Sequence, residues 1–143
     1  MDNKTVYTHK VQYYETDKMG ITHHSNYVRW MEEARVDFLS KAGLDYAALE
    51  AEGLISAVVK ISCDFRRPTT FPEEISIYTD VEEFKGATFV FAYKMENSGG
   101  TEVFSGRSVH AFLGSDGRPV NVKKKFPEIY DKLMKLSPDG TQA

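Results

Sequence analysis

The spacing of apolar residues predicts one long helix in the first third of the chain. A stripe of apolar side chains recurs there at helical intervals, at Tyr27, Trp30, Met31, Ala34, Phe38 and Leu39. Ser25 or Asn26 is the expected N-cap of this helix, and Gly43 is its expected end. Asp45 then predicts the cap of a short helix over residues 46–52.

Alternation of apolar and polar residues predicts five strands, one before the long helix and four after it. They cover residues 5–14, 55–65, 74–83, 87–96 and 101–114. Pro68 and Pro72 interrupt the sheet or leave it at an edge, because proline cannot donate to a central ladder. A second amphipathic helix is predicted over residues 126–136.

This order of elements predicts an α+β fold. Helices are segregated from a meander of antiparallel strands, and the apolar stripe of the long helix must be buried against another element. The simplest solution is a strongly curved antiparallel sheet of about five strands that wraps around the helix. No repeat or linker divides the chain, so residues 1–143 are predicted to form a single domain.

Composition and charge narrow the classes of function. The net charge of −3 does not favour nucleic acid as a partner. The only cysteine, Cys63, has no partner for an internal disulfide. The polar N-terminus does not resemble a signal peptide, and no apolar run is long enough to span a membrane. We therefore expect a cytoplasmic protein with no membrane partner.

The loop over residues 15–24 carries the clearest chemical pattern. It places Asp17 before Gly20 and two histidines, His23 and His24, at the predicted start of the long helix. A carboxylate can act as a base or a nucleophile, and the free N–H groups at a helix N-terminus can stabilise an oxyanion. An aspartate in such a loop also commonly accepts local N–H groups and starts the turn, so a structural role stays open.

This loop and the helix after it resemble the hotdog-fold acyl-CoA thioesterases, in particular the 4-hydroxybenzoyl-CoA thioesterase group and its YbgC-like relatives. The matching residues are Tyr13-Tyr14-Glu15-Thr16-Asp17-x-x-Gly20-Ile21-x-x-His24-x-Asn26-Tyr27, Glu32-x-Ala34-Arg35, Asp64-Phe65-x-x-Pro68 and Gly117-Arg118-Pro119. The resemblance covers about residues 6–135. It implies a hotdog thioesterase domain that forms a homodimer or a dimer of dimers, which is a homotetramer. It also implies an active site at the dimer interface.

The resemblance also implies roles for particular residues. Asp17 would attack the thioester carbonyl or activate water, and the N–H groups near His24 to Asn26 would bind the oxyanion. His24 would orient Asp17 or water, or donate to the thioester oxygen; a capping or packed role for it stays equally open. The substrate-binding residues expected are Gly20, Asn26, Tyr27, Ala57, Val58, Val59, Lys60, Arg66 and Arg67.

Two of these assignments, those of Tyr27 and of the cations, have alternatives. Tyr27 either lines an acyl pocket or packs in the core with the rest of the helix stripe. The backbone of residues 57–59 would pass the active site of the partner subunit. Lys60, Arg66 and Arg67 are candidates to bind the phosphates of CoA, as are Arg107 and the run of lysines at 123–125.

The expected substrate is an acyl-CoA or acyl-carrier-protein thioester. CoA is then part of the substrate, so no separate cofactor is expected. No metal is expected either, because adjacent histidines in a loop point apart and a thiolate leaves without one. The alternative is a non-catalytic module that binds or senses acyl thioesters on the same fold. A dehydratase would require a paired Asp and His on the central helix, a spacing that the sequence lacks.

Overall fold

The computed structural model describes residues 5–137, which form five strands and four helices. The strands are β1 (Thr5–Lys10), β2 (Ile55–Phe65), β3 (Glu74–Phe84), β4 (Thr88–Glu96) and β5 (Glu102–Leu113). The helices are α1 (Ser25–Lys41), α2 (Tyr46–Ala51), α3 (Val122–Lys125) and α4 (Pro127–Leu136). The predicted α+β class is confirmed, because all five strands join one antiparallel sheet.

The order of the strands in the sheet is β1-β3-β4-β5-β2. The predicted meander holds for β3, β4 and β5, but it is wrong for β2, which lies at the sheet edge beside β5. The N–H groups of Arg66 and Arg67 donate to the Val103 carbonyl on β5 at 2.9 and 3.1 Å. The segment that contains Pro68 and Pro72 comes directly after these two arginines and leads to β3. The sheet is therefore left at an edge here, as the prolines predicted.

Two larger differences from the predicted elements are found, one at the end of β1 and one before the last helix. The strand predicted over residues 5–14 ends at Lys10, because Tyr13–Glu15 forms a short 3-10 helix. The helix α3 was not predicted. It has four residues, three of them lysines, and it forms because Asn121 caps it by accepting the Lys124 N–H at 3.1 Å.

The described chain divides into two compact units. The first contains the residues up to Phe38, Cys63–Asp80 and Tyr93–Gly106; the second contains Leu39–Ser62, Val81–Ala92 and the residues from Arg107 onward. In the first unit the predicted stripe of α1 is buried, as shown by Tyr27, Trp30, Met31 and Ala34. The buried apolar side chains of the second unit include Leu44, Leu54, Phe84, Phe89, Phe91, Phe112 and Leu133.

The N-terminal 4 and C-terminal 6 residues of the predicted domain lie outside the described part of the chain. Within that part, no helix combines the length and the apolar character that crossing a membrane requires.

Candidate active site

The loop between β1 and α1 is held in shape by hydrogen bonds along its length. The Asp17 N–H donates to the Ile21 carbonyl at 2.9 Å, and the Gly20 N–H donates to the Asp17 carbonyl at 2.9 Å. Gly20 has a φ of +81°, a conformation that L side chains rarely adopt, so this turn requires glycine. Thr22 fastens the loop to the chain after β2, since its N–H donates to the Thr69 carbonyl at 2.8 Å. The fold thus fixes the backbone on both sides of Asp17.

This loop borders a cavity of about 370 Å³ in the first unit. The cavity brings together the loop, the start of α1 and the chain at the end of β2. It is lined by Asp17, Ile21, Thr22, His24, Tyr27, Phe65, Arg66, Arg67 and Pro68. Five of the residues that the sequence suggested therefore meet here: the acid, the second histidine, the tyrosine and both arginines.

A cavity of about 350 Å³ in the second unit offers weaker chemistry. It lies beside α2 and α4, and no histidine lines it. The carboxylate of its Asp45 already caps α2 by accepting the Ala48 N–H at 3.2 Å. The cavity beside Asp17 is therefore the candidate active site.

The sequence left open whether Asp17 stabilises the turn or belongs to the active site, and the structure places it in both positions. Its side chain is exposed, and Oδ1 accepts the Met19 N–H at 2.8 Å. Among residues 5–137 no donor faces its second oxygen, Oδ2. One oxygen thus holds the turn, while the carboxylate lines the cavity with an oxygen available for chemistry.

The first three N–H groups of α1 are already engaged in hydrogen bonds. The Ser25 N–H donates to Nδ1 of His23 at 3.2 Å, the Asn26 N–H to the His23 carbonyl at 3.0 Å and the Tyr27 N–H to the His24 carbonyl at 3.2 Å. The His24 N–H has no acceptor within the described residues. Of the three N–H groups from His24 to Asn26 that were expected to bind an oxyanion, only that of His24 remains available.

The two histidines of the loop differ in their surroundings. The Nδ1 atom of His23 also lies 2.9 Å from the Ser25 hydroxyl, so this ring is engaged with the helix start. The His24 ring stacks on His23 at 4.3 Å between centroids, meets the edge of Phe65 at 6.3 Å and lines the cavity. Of the two, His24 is the histidine placed beside Asp17 in the cavity wall.

The predicted N-cap at Ser25 or Asn26 is wrong. Ser25 is already helical, and its hydroxyl bonds to His23 and not to an N–H of the first turn. The buried Asn26 donates through Nδ2 to the carbonyls of Glu15 and His23, at 3.0 and 3.3 Å. Asn26 therefore ties the loop to the helix, and its amide is not presented to the cavity as a binding group.

Tyr27 is both a core residue and part of the cavity wall. It is 3% exposed, and its ring stacks on Phe104 with centroids 5.1 Å apart. Its hydroxyl lies 2.9 Å from Oγ1 of Thr69. Burial raises the pKa of the Tyr27 phenol, although the hydrogen bonds with Thr69 and Thr22 act in the opposite direction. Tyr27 is therefore neutral near pH 7 and gives the cavity a rigid aromatic surface.

The two arginines of the cavity differ in how much of their charge is already engaged. The Arg66 guanidinium contacts Oε2 of Glu102 at 2.8 Å and donates to the Ser105 hydroxyl at 2.9 Å. The Arg67 side chain is exposed and has no hydrogen-bond or ion-pair partner among the described residues. Arg67 is thus the cation that remains available to an anionic ligand.

The other expected binding residues lie on β2 in the second unit. They are Ala57, Val58, Val59 and Lys60, and they belong to the edge strand of the sheet. Val58 and Val59 are 47% and 59% exposed, which is unusual for valine in a strand. The described residues include no group of three or more His, Cys, Asp and Glu side chains that could hold a metal ion.

Three features of the site were missed from sequence. Ile21 and Thr22 lie within the motif but carry no reactive group, and Phe65 and Pro68 were noted only as motif residues. The sequence motif includes Glu15 but assigns it no role, whereas in the structure this residue is 5% exposed and strongly hydrogen bonded. A glutamate next to the aromatic residues Tyr13 and Tyr14 gives no sequence signal of burial.

Comparison with known proteins gives consistent matches. The family described as the thioesterase-like superfamily matches residues 11–136. YneP of Bacillus subtilis (strain 168) is 32% identical over 130 residues, which are 88% of this chain and 94% of YneP. The acyl-CoA thioester hydrolase YbgC of Escherichia coli O157:H7 is 28% identical over 92 residues, 64% of this chain and 69% of YbgC.

A solved structure agrees with these matches. The DHNA-CoA thioesterase from Staphylococcus aureus superposes with a TM-score of 0.89 at 30% sequence identity. The alignment covers 92% of this chain and 89% of the Staphylococcus chain. Similarity at this level extends over nearly the whole fold.

Proposed function

We propose a function from the premise that this chain belongs to the thioesterase-like superfamily. It has the hotdog fold, and it is a thioester hydrolase. The proposed reaction is hydrolysis of an acyl-CoA thioester to a free acid and CoA. One observation carries this proposal: Asp17 and His24 line one cavity, and the His24 N–H at the start of α1 has no acceptor among residues 5–137.

The proposed reaction begins when the thioester carbonyl lies against the start of α1. The Asp17 carboxylate either attacks this carbon to form a mixed anhydride, or takes a proton from the water that attacks it. The carbonyl oxygen gains negative charge and accepts the His24 N–H, a type of contact worth about 2.7–4 kcal/mol of barrier. The carbon–sulfur bond then breaks, and the thiolate leaves. With activated water this step gives the free acid directly; after direct attack, water must still hydrolyse the anhydride to release the acid and restore the Asp17 carboxylate.

The fate of isotopic oxygen separates the two roles of Asp17. After a single turnover in water enriched in ¹⁸O, label in the Asp17 carboxylate identifies direct attack. Label confined to the product acid, with none in the protein, excludes an anhydride that water opens at the Asp17 carboxyl carbon. Mass spectrometry of the protein and the acid measures both.

A panel of acyl-CoA substrates tests the proposed activity. We expect wild-type protein to release CoA from at least one member of a panel of short, long and aromatic acyl-CoAs, detected with a thiol reagent. The same acyl groups on an acyl-carrier protein establish which carrier is preferred. Tight binding of acyl-CoA without release of thiol would contradict the proposal and favour the binding module instead.

Arg67 is proposed to bind a phosphate of CoA. We expect Arg67→Gln to raise KM for acyl-CoA about fivefold, the equivalent of about 1 kcal/mol for an exposed ion pair, with kcat within about twofold. Initial rates over a range of acyl-CoA concentrations measure this. The increase should shrink at high salt, because ions screen exposed charges.

A matched variant and a shortened substrate control this prediction. Arg66→Gln should raise KM less, because its guanidinium already holds Glu102 and Ser105. A pantetheine thioester without phosphates should be hydrolysed equally by wild type and Arg67→Gln. An equal loss on both substrates would show that Arg67 acts on something other than phosphate.

The oligomer is proposed to be a homodimer, or a dimer of two such dimers, joined through β2. This strand is at the sheet edge, and it exposes the apolar side chains of Ile55, Val58, Val59 and Ile61. An exposed apolar edge strand favours pairing with a second copy. In such a dimer the backbone of residues 57–59, together with Lys60, would face the cavity of the partner subunit. Gly20 and Asn26 would shape each site without contacting substrate.

Light scattering tests the assembly. We expect a mass of two or four times 16.2 kDa, and we expect Val59→Lys to lower that mass. A wild-type mass of one chain would contradict the proposed interface. The single-domain organisation over residues 1–143 and the cytoplasmic location stay predictions.

A further inference from the structure

Glu15 places a carboxylate in the interior two residues before Asp17. Its Oε2 accepts the indole N–H of Trp30 at 2.9 Å, and its Oε1 accepts the Gln12 N–H at 2.9 Å and lies 2.9 Å from Nε2 of His9. Burial alone would raise the pKa of Glu15, but the hydrogen bonds from His9, Trp30 and Gln12 together lower it. The side chain is therefore an ionised acceptor with three donors arranged around it.

The backbone of Glu15 closes the active-site loop. Its carbonyl accepts the His23 N–H at 2.8 Å and the Asn26 side-chain amide at 3.0 Å. One residue thus anchors both ends of the segment that runs from Asp17 to His24. Asp17 lies two residues after Glu15, and His24 directly follows the residue whose N–H the Glu15 carbonyl accepts.

His9 on β1 extends this anchor to α1. Its Nδ1 lies 3.1 Å from Oε1 of Glu33, while its Nε2 faces Glu15. The two ring nitrogens of His9 therefore face one carboxylate each. The ring also lies 4.6 Å from Trp30, and the Tyr7 hydroxyl donates to the same Glu33 oxygen at 3.0 Å.

We propose that Glu15 is a positioning residue, which holds Asp17 and His24 at the cavity through its bonds to Trp30, His9 and the turn at His23. The inference rests on the proposed function, since it assigns Glu15 to the same reaction. Glu15 itself is not among the residues that line the cavity. Its carboxylate affects the reaction only by fixing the position of the loop that carries Asp17 and His24.

Kinetics of Glu15→Gln test the proposal. The amide keeps the size of the side chain, but its NH₂ faces N–H donors, so at least one of the three bonds is lost. We expect kcat to fall about 10- to 100-fold, with KM within about twofold, because small displacements of reacting groups cost rates of this order. Glu15→Asp, which keeps the charge, should recover part of the loss.

Glu33→Gln is the matched control. It removes the other carboxylate of His9, but Glu33 lies on α1 and its side chain is 41% exposed. Among residues 5–137 its carboxylate bonds to Tyr7 and His9 and not to the loop. We expect its kcat within about twofold of wild type. If kcat of Glu33→Gln falls as much as kcat of Glu15→Gln, the assignment is overturned. The loss would then come from any disturbance of the packing around His9 and not from Glu15 in particular.

The single tryptophan gives a readout that does not depend on activity. Trp30 is the only indole in the chain, so its N–H gives one NMR resonance that reports the bond to Glu15. We expect Glu15→Gln to shift this resonance and those of the His24 ring, while Glu33→Gln leaves the His24 ring unchanged. His9→Gln, which removes one bond and keeps the other two, should give a smaller shift and a smaller fall in kcat.

These measurements separate failure of the inference from failure of the proposed function. If Glu15→Gln moves the indole resonance but leaves kcat and the His24 ring unchanged, the positioning role is overturned. If wild type hydrolyses no thioester, the proposed function fails, and the His24 resonances still decide whether Glu15 places the loop. If Glu15→Gln does not fold, His9→Gln takes its place, and an unchanged kcat with unchanged His24 resonances overturns the inference.

Discussion

Replacement of Asp17 by asparagine is expected to lower kcat for acyl-CoA hydrolysis by about a thousandfold and to keep the fold intact. The amide oxygen of asparagine can still accept the Met19 N–H, so the turn is preserved. The variant loses only the negative oxygen that attacks the thioester or activates water, and such a group contributes about 10²–10⁴ to rate. Initial rates at saturating acyl-CoA, with a thermal melt of each protein, measure both parts of the prediction.

Asp45 provides a matched control for this variant. It also accepts one backbone N–H through a carboxylate oxygen, at the start of α2, but it belongs to the second unit and does not line the candidate site. Asp45→Asn should therefore keep kcat within about twofold. If Asp17→Asn hydrolyses acyl-CoA at the wild-type rate, Asp17 has no part in the chemistry, and the cavity would need another base.

The sequence predicted the helices and strands well because they are encoded locally. The stripe from Tyr27 to Leu39 has helical spacing, and all six of its residues are buried. The position of β2 beside β5 could not be predicted in this way. Strand order depends on pairing between distant segments, here on the bonds from Arg66 and Arg67 to Val103, and no local pattern records such a bond.

The candidate site was predictable where its residues are neighbours in one loop. Asp17, Gly20 and His24 share a motif, and the structure places the acid and the histidine in one cavity wall. The helix cap was predicted wrongly, because Asn26 has the right chemistry for a cap but uses its amide to hold loop carbonyls. Glu15 was missed because its partners lie on separate elements and only the fold brings them together.

Phe104→Ala is expected to destabilise the first unit strongly. The side chain is fully buried on β5, stacked on Tyr27 at 5.1 Å and edge-on to Phe65 at 5.5 Å. Truncation of a buried phenylalanine lowers the free energy of unfolding by about 3–5 kcal/mol. Tyr27 and Phe65 both line the cavity, so we also expect KM for acyl-CoA to rise. Urea denaturation and initial rates measure the two effects.

Phe104→Leu separates the loss of volume from the loss of the aromatic stack. Leucine fills most of the space, so the free energy of unfolding should fall by less than half as much as in Phe104→Ala. All three proteins are compared at one concentration, because the stability of an oligomer depends on it. If the free energy of unfolding of Phe104→Ala is within about 1 kcal/mol of the wild-type value, Phe104 does not hold Tyr27 and Phe65 in place at the cavity. The rigidity of the cavity beside Asp17 would then have to come from the bonds of Tyr27 and Thr22 to Thr69.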